Sequence, residues 1–273
     1  MAIDYMIELD CAPKRALGAA GIRERLKERQ RALEVIEWFR AAGDERPPAE
    51  MGFEFSQSRP GDSGDKQLIV VQDLLDHAAA LDEHAEHCRA CPANRAGQAY
   101  GCAGFIQYPI TALAETWLLE RLPVPDEPLV WLLLRQGIQK LGYDGSSVKA
   151  LRETAAESAA DGSTYFELPD APQGRLGELR VSSDQLLEMV FGVGERIIPN
   201  HAGIILLFVH AIDRDLEAEA IQDISSSAAS TRERYGFLMS APADGDQRIE
   251  EFVAFFLALY TAWQLNAPLF VDA

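Results

Sequence analysis

The chain has 273 residues, and 43 Asp and Glu against 25 Lys and Arg give it a formal net charge of −18. That charge repels nucleic-acid backbones and anionic lipid, so no nucleic-acid partner is expected. The opening Met1-Ala2-Ile3-Asp4-Tyr5 lacks a secretory pattern. No apolar stretch approaches the ~20 residues of a membrane span, so the expectation is a cytoplasmic protein that makes no use of a membrane.

Residues 2–10 alternate as a strand does, and Ile22, Leu26, Leu33, Ile36 and Phe39 then recur at helical spacing to about residue 42. Residues 1–40 carry eight Lys and Arg and seven Asp and Glu, so the acidity lies beyond them. Arg23, Arg25, Lys27, Arg29 and Arg31 interleave with Glu24, Glu28, Glu34 and Glu37. This reads as a solvated helix face with i,i+4 pairs. Arg46-Pro47-Pro48 ends the helix, residues 51–55 predict a second strand, and residues 58–65 have the composition of an exposed loop. From about residue 67 the pattern turns helical through Leu74, Leu75, Ala78 and Leu81, and Pro92 stops it.

Residues 93–104 read as irregular, and apolar helices are predicted at about 110–122 and 128–141, both buried. A softer Ala, Ser and Gly zone places any domain boundary near 157–178, dividing the chain into an α+β region over 1–156 and a mainly helical region over 157–273, unless the two are continuous. A helix follows at about 183–191, then an apolar run at 203–212 and a polar loop at 225–234. The last helix, about 248–265, contains Phe252, Phe255, Phe256, Leu259 and Trp263 and is apolar nearly all round, as a core helix or a contact between copies of the chain is. The fold class is α+β, predominantly helical with a small N-terminal sheet.

The cysteines give the most specific chemical signal. Cys88, Cys91 and Cys102 fall within fifteen residues, and Cys11 follows the first strand. A Cys-x2-Cys pair brings two thiolates to one ion, and four thiolates suit a closed zinc site. Zn2+ is the expected metal, with an iron–sulfur cluster as the alternative. On one continuous helix over 73–90, His77, His84 and Cys88 would share a face, and His84 or His87 could replace Cys11 as a ligand. A closed site of this kind braces a fold. The expected function is therefore that of an intracellular metal-binding protein whose centre is structural, acting as a binding, interaction or accessory protein for a protein or peptide partner, with a homo-oligomer as a further expectation; the alternative is an iron–sulfur or open-site metal enzyme or an electron-transfer protein.

Other motifs assign no reaction. His84-Ala85-Glu86 ahead of Cys88-Arg89-Ala90-Cys91 is superficially similar to the zinc-deaminase signature, but no proline precedes Cys88 and one residue separates the two elements. A thioredoxin-like Cys-x-x-Cys belongs at a helix start, and this pair ends one. Gly192-Val193-Gly194 lacks the third glycine of a dinucleotide fingerprint, and His201 and His210 read as capping or core residues.

Overall fold

The computed structural model describes residues 2–56, 66–94, 97, 99–124, 126–154, 165–168, 179–191, 195–214, 217–226, 232–243 and 245–272. The expected loop at 58–65, Gly192-Val193-Gly194, and most of the expected boundary zone at 157–178 lie outside these residues. The fold is α+β and mainly helical. The chain divides into two compact units, one of Met1–Leu9 with Cys102–Ala273 and one of Asp10–Gly101.

In chain order, β1 (Ala2–Ile7) opens the first unit. The second unit then contains α1 (Ala12–Leu17), α2 (Ala19–Ala41), β2 (Gly52–Ser56), β3 (Lys66–Val70), α3 (Val71–Ala78), a 3-10 turn (Ala79–His84) and α4 (Ala85–Arg89). The first unit resumes with β4 (Ala103–Gln107), α5 (Ala112–Leu119), α6 (Pro128–Leu141), α7 (Ser146–Thr154), β5 (Tyr165–Leu168), β6 (Leu179–Ser182) and α8 (Ser183–Phe191). It closes with β7 (Arg196–Ile197), α9 (Pro199–Phe208), α10 (Ala218–Ser226), α11 (Gln247–Gln264) and β8 (Leu269–Asp272).

In the second unit, α2 presents Val35, Ile36 and Phe39 to a small core of Ala32, Met51, Val71 and Leu74. β2 and β3 form an antiparallel pair in the register Phe53↔Ile69. The helix expected from residue 67 thus starts only at Val71, because Leu68, Ile69 and Val70 are taken up by pairing with β2. The basic run of α2 does more than solvate a face: Arg29 donates to the carbonyl of Ala78 at the end of α3 at 2.9 Å and to Asp82 at 2.8 Å. It therefore caps α3, whose last carbonyls have no partner within the helix.

The first unit is built on an antiparallel sheet of order β4-β1-β8-β7. β1 and β4 pair as Tyr5↔Gly104 and Met6↔Ala103, and the Ile7 N–H donates to the Cys102 carbonyl at 2.9 Å. These are the registers of a hairpin, so the second unit is inserted in the chain where a hairpin turn would stand. Gly104 has a specific reason. A Cβ on it would collide with the Tyr5 hydroxyl oxygen, since the Tyr5 ring covers it. Burial first and Glu251 second push the Tyr5 phenol far above its ordinary pKa, so the hydroxyl stays neutral.

Helix α11 packs on β1 and β4 and against α9. Phe252, Phe255, Phe256, Leu259 and Trp263 are each fully buried, and the Tyr5 ring meets Phe255 edge-on at 5.2 Å. The helix that reads as apolar all round is therefore the core of this unit. Asp246 caps its start, accepting the Arg248 N–H at 2.7 Å. Gly203 lets α9 approach closely, because a Cβ there would fall 2.9 Å from the Trp263 indole nitrogen and 2.8 Å from Ile224. Among the described residues no helix is long and apolar enough to cross a membrane.

Truncating Phe256 to Ala removes a fully buried ring and should cost about 3–5 kcal/mol in urea unfolding. A loss below ~1 kcal/mol would show that α11 is not the core. Joining Leu9 to Cys102 through a short Gly-containing turn in place of residues 10–101 should leave the first unit folded, with cooperative thermal unfolding. A molten product would show that the insertion is part of that unit's core.

Candidate functional site

The four cysteines do not form the expected centre. All four are thiols. Cys11 precedes α1, its carbonyl accepting the Arg15 N–H at 3.1 Å; Cys88 is 4% exposed within α4; Cys91 is half-buried in the turn after it. These three belong to the second unit, whereas Cys102, 5% exposed, leads into β4 of the first. Among the described residues, no group of three or more His, Cys, Asp or Glu side chains converges so as to hold a metal ion. The four-cysteine zinc or iron–sulfur function is thereby overturned.

Local geometry explains why. The helix expected over 73–90 is broken by the 3-10 turn Ala79–His84, whose tighter winding rotates His84 and Cys88 away from the face that a continuous helix would give them. His77 Nδ1 instead meets the Glu28 carboxylate of α2, while His84 is half-buried and His87 exposed. The Cys88 sulfur accepts the Tyr100 N–H at 2.9 Å. Gly104, two residues after Cys102, serves the Tyr5 ring.

Two other constellations stand out, both in the first unit. The first is a buried charge cluster. Arg152 of α7 lies 2.5 Å from Glu115 of α5 and 2.7 Å from Asp184 of α8, and the Ser183 hydroxyl donates to the other Glu115 oxygen at 2.7 Å. Glu115 is 2% and Asp184 0% exposed. Burial opposes the Arg152 charge, but hydrogen bonds and attraction from the two carboxylates outweigh it and hold the guanidinium above its usual pKa. With its oxygens engaged this way, the cluster ties α5, α7 and α8 together. Gly145 sits at the junction at φ +79, where a Cβ would fall 2.8 Å from Asp184.

The second is a cavity of about 450 Å³ between α6, α8 and α9. From α6 come Leu133, Gln136, Gly137, Lys140 and Leu141, spaced i, i+3, i+4, i+7 and i+8. From α9 come His201, Ile204, Ile205 and Phe208, spaced i, i+3, i+4 and i+7, while Met189 of α8 and Tyr143 complete the wall. Each helix thus gives one continuous stripe to the cavity. α6 is accordingly buried on one face only: Trp131 and Leu134 are fully covered, but Leu141 is 70% exposed. Pro128 at the start of α6 and Gly142 in the left-handed conformation at its end fix the length of the stripe.

The chemistry of the wall is distinctive for so acidic a chain. Among the described residues it contains Lys140 and His201 but neither Asp nor Glu. Burial first and Glu188 second raise the Tyr143 pKa, so its hydroxyl stays a protonated donor. Gly137 is the most telling residue. A Cβ built on it meets no neighbouring side chain within 4 Å among the described residues. A glycine inside a helix costs about 1 kcal/mol relative to alanine. Gly203 offsets that cost by close packing; Gly137 has no such packing and opens on the cavity.

Replacing Arg152 with Met leaves Glu115 and Asp184 as two buried carboxylates without their cation, which should cost about 3–5 kcal/mol in equilibrium unfolding. A loss under ~1 kcal/mol would remove the cluster from the architecture. No protein-family model, curated protein or solved structure matches the chain.

Proposed function

We propose that this protein binds a small amphipathic molecule, an apolar chain or ring carrying an anionic group, in the cavity between α6, α8 and α9. The observation that carries the reading is Gly137, a helix-interior glycine that leaves the cavity wall open where packing does not require it. The volume of about 450 Å³ lies within the ~300–1,000 Å³ of small-molecule sites. The apolar stripes supply the burial. Lys140, His201, Gln136 and the Tyr143 hydroxyl supply donors for an anionic head. Carboxylates placed around such a head would repel it, and among the described residues the lining has none.

Decanoate is a suitable probe, with decanol as its neutral counterpart, in isothermal titration against the whole protein. Decanoate should bind more tightly than decanol, and each added methylene should tighten binding about fourfold until the cavity is full, the effect of ~0.8 kcal/mol per buried CH2. Gly137→Leu should abolish binding while leaving the melting temperature unchanged or raised, because the new side chain enters open space. Lys140→Glu should weaken decanoate about fivefold and leave decanol unaffected. Equal decanoate affinity in Gly137→Leu and the parent protein would overturn the reading.

A further inference from the structure

Cys88 and Cys91 belong to the second unit, and the residues lining the proposed cavity belong to the first. The Cys91 N–H donates to the Cys88 carbonyl at 3.1 Å, closing a turn of four residues. Such a turn holds its first and last Cα atoms within about 7 Å, which overlaps the ~4.4–6.8 Å spanned by a disulfide. The turn is held firmly: the Asn94 side chain donates to the same Cys88 carbonyl at 3.1 Å.

The environments of the two sulfurs differ. Cys91 is half-buried, open enough to meet a small reagent, while Cys88 is 4% exposed. The Cys88 sulfur accepts the Tyr100 N–H at 2.9 Å, a contact that fixes the position of the sulfur. Tyr100 reaches it from a left-handed backbone, φ 63, a conformation uncommon for a residue other than glycine. Its hydroxyl, donating to the Leu81 carbonyl at 2.6 Å, pins it there. A strained residue held so as to aim one N–H at one sulfur is an arrangement that plain packing of a thiol does not require.

We infer that Cys88 and Cys91 form a reversible dithiol–disulfide pair, a site of oxidation by low-molecular-weight disulfides. The Cys91 thiolate attacks one sulfur of the small disulfide, forms a mixed disulfide and expels one thiol. The Cys88 thiolate then attacks the Cys91 sulfur, the protein disulfide forms, and the second small thiol leaves. Two protein thiols are oxidised, one small disulfide is reduced to two thiols, and the two protons end on the released thiols. The pair ends a helix instead of starting one, unlike the dithiols of thioredoxin-like catalysts, which sit at a helix N-terminus. The chemistry is therefore that of a staple set by the redox state of its surroundings, not of a turnover enzyme.

Trypsin provides the test, because Arg89 lies between the two cysteines. After the reduced, whole protein is incubated with oxidised glutathione and remaining thiols are alkylated, the peptide of residues 67–89 should be found joined to that of residues 90–95. Dithiothreitol should separate them. The join should persist in Cys11→Ser and in Cys102→Ser, and Cys88→Ser should accumulate glutathione on Cys91. Glutathione held on Cys91 of the parent protein without closure, a join to Cys11 or Cys102 in place of this one, or unreacted thiols throughout would each overturn the inference.

Discussion

The burial of α11 is the interaction on which the first unit depends. Its phenylalanines and Trp263 are fully buried against β1, β4 and α9, while Glu250 and Ala254 stay exposed, so protein covers the aromatic faces of a helix that reads as apolar nearly all round. Covering it demands close approach, and close approach dictates glycine. Gly104 yields to the Tyr5 ring and Gly203 yields to the Trp263 indole. Strand β8 returns the chain beside β1, in the register Tyr5↔Val271, so sequence-distant segments close the sheet around this helix.

The same framework positions the cavity. α9 is fixed through Gly203 on its α11 side, which leaves the stripe of His201, Ile204, Ile205 and Phe208 for the cavity. α8 is held by the pairing of Asp184 with Arg152, so Met189, one and a half turns further along the helix, is carried by a rigid element. Ligand sites built on helices are more precise than those on loops, and these walls are helical almost throughout. What distinguishes the cleft from a packing defect is chemical selection in its lining: a cation and a histidine in a protein of net charge −18, and a glycine where alanine would favour the helix.

Much of the fold was legible in the sequence, and the reasons are local. The alternation of residues 2–10 found β1, and the uninterrupted apolar surface of residues 248–265 found the core helix. β8 escaped because four residues, Leu269–Asp272, are too few to show a period. β3 was read as helix because Lys66–Val70 runs directly into α3 with no breaker between them. The metal reading failed on a tertiary fact: spacing places Cys88 and Cys91 together, but it does not reveal that a 3-10 turn swings His84 aside or that a chain insertion assigns Cys102 to another unit. The cavity left a trace that was passed over, the Leu133, Gly137, Lys140 stripe in a segment read as wholly buried. A lysine on an apolar stripe with a glycine one turn before it was the available signal.

The central claim is that an anionic amphiphile occupies the cavity between α6, α8 and α9, and methyl-resolved NMR tests it most directly. On addition of decanoate, the methyl signals of Leu133, Met189, Ile204 and Ile205 should shift together and saturate with one affinity. Methyls of the second unit, such as those of Leu33 and Leu68, both exposed, should stay in place. Cavity methyls that stay fixed while exposed ones move would contradict the account.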